Sequence, residues 1–139
     1  VACYDPENDE YQSVCKVGTG FKDEDLVRLT EQLKQHIIIN NKKPTNYNVG
    51  EQLTPDDWFE PSVVWEIQAA DLSKSSVHKG GINRVDNSGR GIGLRFPRYI
   101  RDRNDKKAEM ATTAEQIVEM YLSQGDNLVD GVVEDDEDE

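Results

Sequence analysis

Turn signals cut the first hundred residues of this chain into short extended pieces, and that punctuation limits the fold more than any other feature. Residues 1–5 read as a strand, and the cluster Pro6-Glu7-Asn8-Asp9 reads as a turn. Residues 11–17 alternate, with Tyr11, Ser13, Cys15 and Val17 on one side, so the two pieces predict a hairpin that Gly18-Thr19-Gly20 ends. The Gly-Thr-Gly run is read as a plain turn in preference to a phosphate cradle. After Trp58-Phe59-Glu60-Pro61, residues 62–72 alternate again and predict one strand with Trp65 in the core. Lys79-Gly80-Gly81 and Asn87-Ser88-Gly89 are further turns. Residues 92–96 form another strand stopped by Pro97, and residues 99–103 resume extended structure.

Two segments carry helical spacing instead. Asp23 is a candidate cap, followed by acidic Glu24 and Asp25; Leu26, Leu29, Leu33 and Ile37 then predict one buried stripe on a helix over 23–36. Residues 40–57 are loop-like. Thr113 with Gln116 has the capping-box pattern, echoed by Thr112 with Glu115. Ile117, Val118, Met120, Tyr121 and Leu122 continue a closing helix to about Gln124. Five or six short strands with one internal and one C-terminal helix predict a mainly β fold. A small Greek-key barrel such as the OB-fold fits, as do other small barrels and an α+β sandwich. At 139 residues the chain is one domain, expected over 1–124. Residues 125–139, ending in six consecutive acidic residues, are expected to be a disordered acidic tail.

Charge is segregated against a net charge of −12. Residues 77–107 hold nine basic and three acidic residues. Arg90, Arg95, Arg98, Arg101, Arg103, Lys106 and Lys107 all fall within the stretch GRGIGLRFPRYIRDRNDKK. A basic ridge on an acidic body points to a polyanion surface; its bland alternative is a solvated strand and loop. Self-contained catalytic chemistry is not apparent. His36, His78, Cys3 and Cys15 lack metal-site spacing, and neither a GxSxG elbow nor a full phosphate loop occurs. Metal ligation is therefore not expected. The two cysteines read as buried, reduced thiols of an intracellular protein. No run of 18 apolar residues predicts a membrane span. The opening VACYD is strand-like and follows no initiating Met, which raises the expectation of a piece cut from a longer protein.

Five pieces, in order, carry a resemblance: VACYD with VCKVGTGF, PSVVWEIQAADLS, GIGLRFPRYIRDRNDK and ATTAEQIVEMY. Together they resemble the C-terminal OB domain of eukaryotic ATP-dependent DNA ligases, the DNA ligase I type, over nearly the whole chain. The resemblance implies that the first strand is clipped. It also implies a nucleotidyltransferase domain with an adenylated Lys in KxDG and a helical DNA-binding domain elsewhere in the parent chain. KxDG does not occur here, so this domain alone is expected to be inactive. ATP and Mg²⁺ would serve the full enzyme, with neither bound by this domain alone.

The same resemblance implies two jobs. Arg103, Asp105 and Lys106 match the RxDK of motif VI, with Arg101 two residues earlier, and would orient pyrophosphate during enzyme adenylylation. Arg90, Arg95, Phe96 and Arg98 match positions that meet the minor groove at a nick, and Lys79 is added as a phosphate contact, with Arg84 beside it. Strand phase disagrees at Phe96: Ile92, Leu94 and Phe96 share one face, which by pattern alone buries Phe96. The implied partner is nicked duplex DNA, the implied compartment the nucleus or an organelle, and the domain is expected to be monomeric. Other readings are a non-catalytic nucleic-acid-binding OB module and the OB domain of an mRNA capping enzyme or RNA ligase.

Overall fold

The computed structural model describes residues 1–129. Within them the fold is mainly β, with one internal and one C-terminal helix, consistent with a small OB-type domain. Strands β1 (Ala2–Asp5) and β2 (Glu10–Ser13) form the expected antiparallel hairpin, and β3 (Tyr47–Asn48) lies parallel to β2. The hairpin turn is tied by the Asp5 carboxylate, which accepts the Glu7 N–H at 3.1 Å and the Asn8 side-chain amide at 2.8 Å. This is the local bonding that makes Asp and Asn turn residues.

The stretch 62–72, expected as one strand, is two. Strand β4 (Trp65–Gln68) pairs antiparallel with β7 (Arg98–Asp102), and β5 (Asp71–Ser75) pairs antiparallel with β6 (Gly91–Arg95). Gln68 lies opposite Arg98 and Asp71 opposite Arg95, so the register is the same on both sides of the break. Phe96 and Pro97 therefore face Ala70 and Ala69 across one sharp corner of a long bent hairpin. The last rung before the corner is the Ala70 N–H to the Arg95 carbonyl, at 2.9 Å. Pro97 has no N–H to continue the ladder, and Phe96 takes a left-handed φ of 54°. The alternation of residues 62–72 could not show this, because the corner is imposed by the partner strand.

The segment after β2 joins the two hairpins. Leu94 donates its N–H to the Val14 carbonyl at 2.8 Å, and Tyr99 donates to Thr19 at 2.9 Å. Gly20 is required at this crossing. Its φ is 93°, and a Cβ there would stand 2.3 Å from the Tyr99 carbonyl oxygen. The core holds Cys3, Val14, Cys15, Ile92, Ala114 and Ile117, with Ile67, Leu72, Leu94 and Val118 packed around them. Both cysteines are buried free thiols, and burial pushes the Cys3 thiol up to about 12. Trp65 is half-buried, edge-on to Phe21 and Tyr99.

Beneath the loop of residues 78–86 lies a buried polar network. Asp5, 1% exposed, accepts Arg84 Nη2 at 2.8 Å and Gln12 Nε2 at 3.3 Å, while Gln12 Oε1 accepts the Gly81 N–H at 2.9 Å. These bonds fasten the loop to the hairpin, since a buried carboxylate must find donors.

Helix α1 spans Asp23–Lys34. Its N-cap is Lys22 and not the expected Asp23, because Asp25 accepts the Lys22 N–H at 3.0 Å and sets the first turn one residue earlier. Of the expected stripe only Leu29 is fully buried, and Leu26 is 50% exposed. The helix ends before Ile37, which instead bridges to Phe59. Helix α2 (Ala114–Val129) has the capping box read from Thr113 and Gln116: Gln116 donates its N–H to Thr113 Oγ1 at 3.1 Å, and Thr113 donates its N–H to Gln116 Oε1 at 2.9 Å. It runs past the expected end near Gln124 and packs on β1, β5 and β6. The side-chain amide of Gln124 bonds both the N–H and the carbonyl of Leu72. Of the expected tail over 125–139, residues 125–129 are instead the last turn of α2, and residues 130–139 lie outside the described residues. No helix among the described residues is long and apolar enough to cross a membrane.

Candidate nucleic-acid and phosphate interface

The corner between β6 and β7 gathers one group of candidate residues. Arg95, Phe96 and Arg98 are all exposed there. Phe96, which strand phase assigned to the core, is 67% exposed. Its left-handed φ turns the side chain away from the face shared by Ile92 and Leu94, so the alternation ends one residue before Pro97. A bulky non-glycine residue at such φ carries strain, and strain held by the surrounding structure marks functional sites. The Arg95 guanidinium lies 5.3 Å from the Phe96 ring centroid and pairs with Asp71 at 3.1 Å. Arg98 has no ion pair among the described residues, and Arg90, at the entrance to β6, is exposed beside Ser88. Lys79 is half-buried, its backbone N–H bonded to Ser13 at 2.8 Å. Arg84 is already held by Asp5 and Glu7, which leaves it poorly placed for phosphate.

A second group lies at the far end of β7, roughly 20 Å along the strand from Phe96 at about 3.3 Å per residue. Arg101 donates Nε to Glu66 Oε1 of β4 at 2.7 Å. Arg103 donates Nε and Nη2 to the two oxygens of Asp105, at 3.0 and 2.9 Å. The Arg103 hydrogen bonding, together with the neighbouring Arg103 and Lys106 charges, holds the Asp105 carboxyl down at about 2. The Lys106 N–H bonds back to the Arg103 carbonyl at 3.2 Å, so residues 103–106 make one tight turn. Arg103 and Lys106 both line a largely apolar cleft of about 860 Å³ that reaches Trp65, Ile67 and Leu94. Both residues thus border the same cleft. Among the described residues, no group of three or more His, Cys, Asp or Glu is arranged to hold a metal ion.

Sequence reasoning missed three members of this end. Glu66 sits directly opposite Arg101, and Arg28 of α1 meets Asp102 at 2.7 Å. An acidic strand residue facing a basic one was visible only in principle, since the pairing needs the register. The Arg28–Asp102 contact spans 74 positions and left no local signal.

The fold and this charge pattern define an OB-type domain with an arginine-rich β ridge. Residues 1–106 match the family model described as the ATP dependent DNA ligase C terminal region, and the chain belongs to that family. It is 53% identical to DNA ligase 1 of Drosophila melanogaster over 124 residues, covering 89% of this chain and 16% of the relative. It is 46% identical to DNA ligase 1 of Arabidopsis thaliana over 138 residues, covering 99% and 17%. A DNA ligase of Hyperthermus butylicus is 49% identical over 124 residues, covering 89% and 20%. The chain therefore spans between a sixth and a fifth of the length of these relatives.

Proposed function

We propose that this domain is the OB module with which an ATP-dependent ligase grips nicked duplex DNA, and that it also supplies motif VI for enzyme adenylylation. The observation that carries the reading is Phe96, exposed at a strained left-handed corner between Arg95 and Arg98. An aromatic edge flanked by cations suits a minor groove: the ring packs against sugars, and the guanidiniums hold phosphates without reading sequence. Arg90 and Lys79 extend that surface. A ligase must accept any sequence, and phosphate contact supplies that tolerance.

The turn of residues 103–106 serves the earlier step. Enzyme adenylylation forms a bond from the lysine nitrogen to the α-phosphorus of ATP. It breaks the bond to the bridging α–β oxygen; pyrophosphate leaves with that electron pair, and the amine proton passes to solvent. Arg103 and Lys106 would offset charge gathering on the departing phosphates, with Arg101 beside them. Asp105 holds Arg103 in place until a polyphosphate competes for it. In this reading ATP and Mg²⁺ serve the full enzyme. Nicked DNA, the remaining ligase domains and a nuclear setting are the partners and place this reading implies.

The test separates the two groups in the full-length ligase. Charge reversal at Arg103 or Lys106 is expected to cut adenylylation far more than nick binding. Phe96→Ala with Arg98→Glu is expected to do the opposite. If both pairs of changes fall on the same step, the division is wrong. Nick binding should also weaken steeply with salt; salt-insensitive binding would remove the phosphate argument.

A further inference from the structure

We propose that Asp102 is a positioning residue for the cation turn of residues 103–106, held on target by Tyr99 and by Arg28 of α1. The proposal rests on the reading of that turn as motif VI. Its basis is a bulge in β7. Ile67 pairs with Tyr99 and Glu66 with Arg101, so Ile100 is an extra residue that β4 does not match. In a regular strand Tyr99 and Asp102 would point to opposite faces. The bulge shifts the phase by one, as bulges do where a side chain must be re-aimed. Tyr99 and Asp102 then share a face, and the Tyr99 hydroxyl donates to Asp102 Oδ1. Arg101 and Arg103 share the other face.

Asp102 is fastened from a second direction. Arg28 Nη1 donates to Asp102 Oδ2 at 2.7 Å, and Arg28 Nη2 reaches Asp25 at 3.2 Å and the Tyr99 hydroxyl at 3.4 Å. Asp25 in turn accepts the Lys22 N–H at the start of α1. One hydrogen-bonded path thus runs from the helix N-terminus to the residue just before Arg103. The Asp102 side chain is 9% exposed, and the Tyr99 ring is stacked on Phe21 at 4.7 Å and edge-on to Trp65. Beyond Asp102 the Arg103 N–H bonds to the Val64 carbonyl at 2.8 Å, and there the ladder ends. Asp102 is the last side chain with fixed partners on both sides before the chain turns toward the cleft. Release of Asp102 would let β7 slip back into regular phase, which would re-aim Arg103 away from the cleft it borders.

The experiment uses the full-length ligase with two separate readouts: single-turnover self-adenylylation with ATP, and sealing of a nick that already carries 5′-AMP, which needs no adenylylation. Asp102→Ala, Arg28→Ala and Tyr99→Phe are each expected to slow self-adenylylation, about tenfold for the first two and less for the third, as expected for a misplaced charged group. The Asp102→Ala, Arg28→Ala double variant is expected to be no slower than either single one. Sealing of the pre-adenylated nick should stay within about twofold, since that step does not use the turn. A purely structural role would depress both readouts together and would overturn the proposal, as would additive single effects. Tyr99→Phe keeps the stacked ring and so guards against a simple folding defect. Lys106→Ala is the control for the underlying reading. If it leaves self-adenylylation intact, the motif VI reading fails. If it abolishes the step while the Asp102, Arg28 and Tyr99 variants do not slow it, only the positioning role fails.

Discussion

Arg103 grips Asp105 with two parallel hydrogen bonds, from Nε at 3.0 Å and from Nη2 at 2.9 Å, so the proposed phosphate-orienting arginine already carries a carboxylate in its fork. A polyphosphate that reaches this turn competes with Asp105 and does not meet a bare cation. The exchange of one bidentate anion for another suits a domain that must engage and then let go.

The pair makes Asp105 titrate low. Its carboxyl stands at about 2 in the folded domain, below its unfolded value of 3.8. A depressed folded value means that the contribution to stability is present above the unfolded value and is lost as pH falls through the folded one. Carboxyl NMR titration is expected to find Asp105 near 2, and to find it back near the ordinary range of about 4 in Arg103→Ala. An unmoved Asp105 would show that the two side chains do not hold each other in solution.

Arg84 supplies a contrasting case. It pairs with a carboxylate that is 1% exposed, so Arg84→Ala leaves Asp5 buried without its charge partner. The expected cost is about 3 kcal/mol of folding stability, read by urea denaturation. Burial raises the Asp5 carboxyl, but bonds from Asn8 and Glu7 and the Arg84 charge outweigh it, so the net shift is downward. The stabilisation is therefore complete above the unfolded value of 3.8 and fades below it, and the loss caused by Arg84→Ala should shrink in acid. A loss confined to DNA binding, with stability intact, would return Arg84 to the phosphate surface.

Phe96 separates packing from function. At φ 54° glycine is at ease where phenylalanine is strained. Phe96→Gly is expected to leave stability within about 1 kcal/mol of the parent, because relief of strain offsets the extra freedom of the unfolded chain. A buried phenylalanine would instead lose about 3 to 5 kcal/mol on truncation. Nick sealing by the same variant should fall. Thermal unfolding and a sealing assay on one preparation decide between the two outcomes.

Two glycines only two positions apart should behave oppositely. Gly20→Ala drives a Cβ to 2.3 Å from the Tyr99 carbonyl oxygen at a φ of 93°, whereas a Cβ at Gly18 meets nothing within 4 Å. The expected loss is about 3 kcal/mol for the first and no more than about 0.5 kcal/mol for the second. Equal effects would mean that the segment does not cross β7 so closely.

Much of the fold was legible because its signals are local. Pro6 to Asp9 made a turn wherever the rest of the chain went, and Thr113 with Gln116 built the capping box by reaching only three residues. The strand of residues 62–72 was legible as extended chain but not as two strands. Ala69 and Ala70 look like any pair in an alternating run, and the corner comes from Phe96 and Pro97 on the partner. The α1 stripe failed for a related reason: Leu26 has the right spacing, but spacing does not say how wide a seam the neighbours offer. The candidate arginines and Phe96 were picked out by their order in sequence, whereas Glu66, which pairs with Arg101, and the Arg28–Asp102 pair were not.

The sequence by itself determined the small mainly β class, the segregation of positive charge into residues 77–107 and the membership of a ligase family, because these reside in composition, local turn chemistry and residue order. Tertiary structure alone decided which way the side chains of that basic stretch point. Direction along a strand depends on phase, and phase was reset twice, by the left-handed turn at Phe96 and by the bulge at Ile100. Each reset is a relation between β7 and its neighbours, so periodicity within residues 92–103 could not contain it.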